Sequence, residues 1–341
     1  MRVIGPVIGF ARLIRRARRA LALPFAVLVL APPIPVNAQV PDRIPRLCFV
    51  TFDARDRNER FKPFFERLHD LGYVDGQTIK IDYLSADAEA DRFASLADQC
   101  LQLKANIIVV TTTPAAQAVK NATHTVPIVM FPLGDPVGTG LVASLARPGG
   151  NVTGLSFMAD GIAAKRLQLL KEAVPNITRV LVLSYLLDPI AEPQVRELER
   201  ASRALHLELL VQDIRTAADL PAGFDAGARE RVDALLTTAE SIFVVQRKRV
   251  VELAAQYKLP AMYAVKLVVE AGGLMAYDSY TSNLVARAAI FVDKILRGAE
   301  PADLPVEQPT KLDLVVNLKT AQELSLTIPQ SILARADEVI E

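Results

Sequence analysis

Short apolar runs along this chain alternate with segments whose apolar positions recur every three or four residues. The run LCFVT, Leu47 to Thr51, has the length and character of a buried strand. After a polar turn, Phe61, Phe64, Phe65, Leu68 and Leu71 fall on one helical face, and Gly72 stops that helix. A strand at Ile79 to Tyr83, a helix from about Asp91 to Leu103, the apolar run Asn106 to Val110 and a helix opening at Pro114 continue the series. Strand and helix alternate throughout, which predicts mostly parallel sheets with helices on both faces.

The second half repeats this order, with strands at Val180 to Leu183, Leu207 to Val211 and Ala234 to Leu236, and a helix carrying Val195, Leu198 and Leu205. The repeat is plainest when KANIIVVTTTPAAQAVKNATHTVPIVMF (Lys104 to Phe131) is set beside RVDALLTTAESIFVVQRKRVVELAAQYKLPAMY (Arg231 to Tyr263). Each has an apolar strand, a Thr-containing turn, a helix and a Leu-Pro or Val-Pro step into another strand. Two similarly wound lobes are therefore expected rather than one long sheet. The Pro/Gly-rich segment RPGGNVTGLSF, Arg147 to Phe157, is the first crossover, and the helix after Asn283 and the segment from Leu312 follow once the second lobe is complete. On this reading, residues 43–154 with about 279–309 form one lobe, and residues 155–278 with about 310–341 the other.

The amino terminus changes the picture of charge. Arg2, Arg12, Arg15, Arg16, Arg18 and Arg19 precede the apolar run Ala20 to Ala31, which ends in prolines and the small-residue pattern Val36-Asn37-Ala38. That run is about half a membrane span and is broken by Pro24, so residues 1–38 read as a signal peptide for Sec export, not an anchor. No Cys near its end offers a lipid attachment site. Six of the 39 basic residues lie in this leader, which leaves 33 against 38 acidic ones and a net charge of −5. Such a mature chain is not built to hold nucleic acid or anionic lipid. With 341 residues, 51% of them hydrophobic, it can bury a large core. Cys48 and Cys100 fall on a strand and a helix of the first lobe; a disulfide is open to them, but two separate buried thiols are the plainer expectation.

In doubly wound sheets, ligands bind beyond the carboxyl ends of the strands, where helix starts point their N–H groups outward. The turns after the strands therefore hold the candidate ligand-binding residues: Phe52, Asp53, Thr112, Thr113, Ala115, Asp135, Phe157, Tyr185, Glu240, Tyr263, Tyr277 and Asp278. Thr113-Pro114-Ala115 has the form of a helix start with Thr113 as N-cap, suited to an anionic group. Asp135, before a Pro and two glycines, could hold a ligand ammonium or cap its own turn, and Glu240 occupies the matching turn of the second lobe. Tyr185, Tyr263 and Tyr277 could stack on a ligand. His69, His124 and His206 are isolated, and no zinc-protease, paired-cysteine, nucleophile-elbow or phosphate-loop motif is present. No catalytic residue, cofactor or metal site is expected.

The stretches TTTPAAQAVKNAT, FPLGDPVGTGLVASLARPGGNVTG, LPAMYAVKLVVEAGGLMAY and the tail from Val306 resemble the ABC transporter substrate-binding proteins of the tryptophan/tyrosine-binding type, over about residues 45 to 341. The resemblance implies a type I periplasmic-binding-protein fold: two Rossmann-like α/β lobes with parallel sheets, joined by a three-crossover hinge. It further implies a monomer in the periplasm that clasps a small carboxylate ligand between the lobes and hands it to an ABC permease and its ATPase. Two departures stand out. Ser184-Tyr185 replaces the Tyr-Asn common in amino-acid binders, and Ala239-Glu240 stands where an Asp is usual. The ligand could thus be an aromatic amino acid or an aromatic or other organic acid. A sensory protein feeding a receptor is the alternative, and a secreted α/β enzyme a more distant one.

Overall fold

The computed structural model of the protein describes residues 44–55, 60–157, 161–278, 282–309 and 311–341. The leader expected over residues 1–38 lies outside the described residues. No helix among the described residues is long and apolar enough to cross a membrane.

Strands β1 (Arg46–Thr51), β2 (Lys80–Ser85), β3 (Ile107–Val110), β4 (Ile128–Leu133) and β5 (Val152–Ser156) pair in parallel in the order β2-β1-β3-β4-β5. A second sheet contains β6 (Arg179–Ser184), β7 (Glu208–Asp213), β8 (Ala234–Thr237), β9 (Ala261–Tyr263), β10 (Met275–Asp278), β11 (Asp313–Asn317) and β12 (Glu338–Ile340), in the order β7-β6-β8-β9-β10-β11-β12. Helices α1 (Lys62–Asp70), α2 (Phe93–Gln102) and α3 (Thr113–Ala122) connect the first set of strands. The helices α4 (Ile162–Ala173), α5 (Ala191–Leu205), α6 (Leu220–Arg229), α7 (Ser241–Val245), α8 (Arg247–Gln256) and α9 (Lys266–Glu270) connect the second. After β10 come α10 (Ser282–Leu296), α11 (Leu318–Glu323) and α12 (Gln330–Leu333).

Parallel strands need crossover helices, and these cover both faces of the sheet, so β1 is apolar on each side. Leu47 and Phe49 pack with Phe61, Phe64 and Leu68 of the α1 region and with Leu284, Ala288, Phe291 and Val292 of α10. Cys48, Val50 and Phe52 pack with Phe93, Leu96, Ala97 and Cys100, the inward stripe of α2. This register places Cys48 opposite Cys100, and the two form a disulfide with Cα atoms 5.8 Å apart. The expectation of two separate thiols is thereby corrected: the fourth residue of the α2 stripe lands on the same β1 face as Cys48.

Because α10 packs on the first sheet while β11 pairs with β10, the chain passes between the sheets three times. The last return enters from the opposite direction, so β10 and β11 are antiparallel, the one such pair among the described strands. Where the outgoing and returning segments run side by side, Ser156 N–H donates to the Glu307 carbonyl and Glu307 N–H to the Gly154 carbonyl, at 2.9 and 3.0 Å. Gly154 adopts φ +131°, and a Cβ there would lie 2.3 Å from the Met130 carbonyl oxygen, so the close approach of β4 and β5 requires glycine.

Candidate functional site

The strands of both sheets end at a cavity between the lobes. Thr111, Thr112 and Thr113 follow β3, Gly134 follows β4, Asp188 lies beyond β6, Ala239 follows β8, Ala264 follows β9 and Asp278 ends β10. Arg60, Phe157, Arg166 and Ser241 complete its polar and aromatic lining. A second, mostly apolar and nearly filled cavity is lined by Phe52, Ala90, Phe93, Pro114, Tyr185 and Ile242, and shares Thr112, Asp188 and Ser241 with the first. On the other side, Gly134, Phe157, Arg166 and Ile190 lead to an open mouth lined also by Asp135, Thr139, Glu192 and Arg196.

The α3 start differs by one residue from the expectation. Thr112 is the N-cap, in extended conformation, with its hydroxyl accepting from Ala115 N–H at 3.3 Å. Thr113 is the first helical residue, so Pro114 stands second, where its missing N–H still leaves no helical bond unmade. The shift releases the Thr113 hydroxyl: Oγ1 is buried and has no hydrogen-bond partner in the protein. A buried hydroxyl without a partner costs free energy, which a donor or acceptor from outside would relieve.

The opposite wall is charged. Arg166 sits on the buried stripe of α4, among Ala163, Leu167 and Leu170, and its guanidinium donates from Nε to the Tyr277 carbonyl (3.0 Å) and from Nη2 to the Ala264 carbonyl (3.2 Å). Burial lowers its pKa to about 10, against the opposing pull of Asp278, and it stays cationic at neutral pH. Asp278 Oδ2 accepts from Lys266 N–H at 2.9 Å. Burial raises the Asp188 carboxyl to about 7, only partly offset by the hydrogen bond from Ile190 N–H. Contacts among the described residues join the lobes directly. Arg60 Nη1 donates to Ser241 Oγ at 3.3 Å, the Phe52 and Tyr185 rings lie 6.5 Å apart, and Gly134 meets Ile190 so closely that a Cβ would lie 2.7 Å from Ile190 Cγ2.

Among the candidates read from sequence, Thr112, Thr113, Phe157 and Asp278 line the main cavity. Phe52 and Tyr185 line the apolar one. Asp135 lies at the mouth, where its Oδ1 accepts from Gly138 N–H at 2.7 Å and so caps its own turn. The others line none of these cavities. Asp53 is held by Arg55, whose hydrogen bonds lower its pKa, and Ala115 is buried inside the helix start. Tyr263 is a core side chain whose phenol burial pushes up, and Tyr277 packs in the second-lobe core and offers Arg166 only its carbonyl. Glu240 lies behind the wall, its Oε1 accepting from Gln194 Nε2 at 3.0 Å and its Oε2 bonded to Thr238 Oγ1. Burial, then the neighbouring Asp188, raises it to about 8. Sequence reading missed Arg60, Arg166, Asp188 and Ser241. A signal existed for Arg166, a lone charge on an otherwise apolar helical stripe.

The family model for ABC transporter substrate binding proteins matches residues 45–340. The chain is 29% identical over 265 residues to a tyrosine-binding protein of Clostridioides difficile (strain R20291), covering 78% of this chain and 76% of that protein. Among solved structures it is similar to an ABC domain in complex with L-Trp from Streptococcus pneumoniae, with a TM-score of 0.80, 27% identity, and 87% and 100% of the two chains covered. It is also similar to the ligand-free, open structure of a substrate binding protein with adhesive properties from Clostridium difficile, with a TM-score of 0.60, 25% identity, and coverage of 87% and 99%. Two mostly parallel α/β sheets, threaded three times by the chain, are the type I periplasmic-binding-protein fold. With its cleft at the facing strand ends, this chain belongs to the family of ABC transporter substrate binding proteins, which are solute-binding proteins and not enzymes.

Proposed function

We propose that the protein is the exported binding component of an ABC importer, capturing a small carboxylate ligand with an aromatic side chain in the interlobe cleft. The observation that carries this reading is the Thr113 hydroxyl, buried and unpartnered at the start of α3 and facing a wall that holds Arg166. A carboxylate there meets the positive end of the α3 dipole and a cation across the cleft. Phe157, which lines both the cavity and its mouth, is the aromatic side chain placed to meet the ring. Closure of the lobes on the ligand is the signal that the membrane permease, powered by its ATPase, would read. The greater likeness to the L-Trp complex than to the open, ligand-free relative, at similar identity, supports reading the described arrangement as the closed one. The leader at residues 1–38 supports a periplasmic location.

Thermal-shift and calorimetric titration with aromatic amino acids and aromatic acids test this reading. A ligand at 100 times its dissociation constant adds about 2.7 kcal/mol of stability, and no shift with any of them would refute it. Thr113→Val keeps shape and removes the hydroxyl, so it should weaken carboxylate ligands by about 1–3 kcal/mol; unchanged calorimetric affinity would remove Thr113 from the site. Gly134→Ala tests closure. Its added methyl would press on Ile190 and Phe157 across the cleft. Overpacking of about 1–3 kcal/mol should then leave small-angle scattering of the ligand-saturated variant more extended than wild type.

A further inference from the structure

We propose that Asp188 is a specificity-determining residue, receiving a cationic nitrogen of the ligand and so selecting amino acids over the same acids lacking the amino group. The inference rests on the cleft reading above and adds to it the group that tells the two ligand classes apart. Asp188 is 5% exposed, and it lines both the polar cavity and the apolar one, at their junction. Its Oδ1 accepts from Ile190 N–H at 3.2 Å, and among the described residues no cationic side chain pairs with it. Arg60 and Arg166 line the same cavity, but Arg166 is directed to the Tyr277 and Ala264 carbonyls and feels Asp278, and Arg60 reaches Ser241. A buried carboxylate without a counter-charge is costly, and the cost is relieved when a cation is brought to it. Thr113 and Asp188 line the same cavity, so a ligand with its carboxylate at Thr113 can bring an α-ammonium to Asp188. The turn made with Ile190 N–H is local and needs only a carbonyl-type oxygen, which asparagine also supplies.

Calorimetric titration of wild type and Asp188→Asn with L-tyrosine and L-tryptophan, and with desaminotyrosine and indolepropionate, tests the assignment. Wild type should bind its preferred amino acid at least about tenfold more tightly than the matching des-amino acid. Asp188→Asn should lose about tenfold to a hundredfold for the amino acid while the des-amino acid stays within about twofold or improves. Equal weakening of both ligands would reduce Asp188 to a turn former, and no weakening of either would exclude it; both overturn the proposal. The wild-type comparison stands without any variant: equal affinity for the two classes defeats the role of Asp188 and leaves the cleft reading intact. Binding of none of the four compounds defeats both.

Discussion

Glu240→Gln should make the ligand-free protein more stable at alkaline pH while changing little at acid pH. The Glu240 carboxyl is fully buried and raised to about 8, first by desolvation and then by Asp188. A carboxyl whose folded pKa exceeds its unfolded value contributes stability that is complete below the unfolded value and is lost as pH climbs through the folded one. For Glu240 that window runs from its ordinary 4.5 to about 8. The ionised form is disfavoured by about 5 kcal/mol at the top of the window, an order-of-magnitude figure. Hydrogen-bond chemistry agrees with a neutral acid. Thr238 Oγ1 lies 3.1 Å from the Leu183 carbonyl oxygen and is also bonded to Glu240 Oε2. The hydroxyl carries one proton; when that proton goes to the carbonyl, the carboxylic acid supplies the other bond. Glutamine supplies an N–H at the same place and an oxygen for Gln194 Nε2. Denaturant unfolding of both proteins should show a stability difference that is small at about pH 5 and grows to several kcal/mol at about pH 9. A difference that does not change with pH would mean that Glu240 is ionised in the folded protein.

Loss of the Cys48–Cys100 disulfide should cost comparably at every pH. The bond ties β1 to α2 across 52 residues of sequence, and closing a loop of that length in the unfolded chain stabilises the fold by about 4 kcal/mol in the chain-entropy account. The double variant Cys48→Ala, Cys100→Ala should melt several degrees lower than wild type, and reductant should lower wild type toward the variant without moving the variant. The cavity left by two sulfurs in the core that also holds Val50, Ala97 and Ile108 adds a smaller loss. If reductant leaves the wild-type melting temperature unchanged, the crosslink carries no stability.

What the sequence by itself determined was the one-dimensional grammar. Apolar runs of strand length, helical stripes such as Phe61, Phe64, Phe65, Leu68 and Leu71, and the repeated strand–Thr turn–helix units were enough for two wound α/β lobes, because these signals depend only on neighbours within a few residues. The turns that carry the site were legible for the same reason, since in this architecture they follow the strands. Which side chain of each turn faces the cavity was decided only in three dimensions. A one-residue shift at the start of α3 made Thr112 the cap and freed Thr113. The rotation of the strands buried Tyr263 and turned Tyr277 into the second-lobe core. Glu240, one residue from the cavity wall formed by Ala239 and Ser241, points behind it to Gln194. The disulfide, Arg166 and Asp188 likewise depend on contacts between residues far apart in the chain, where no local period constrains direction. Burial and pairing, not residue type, set which charges face the cleft.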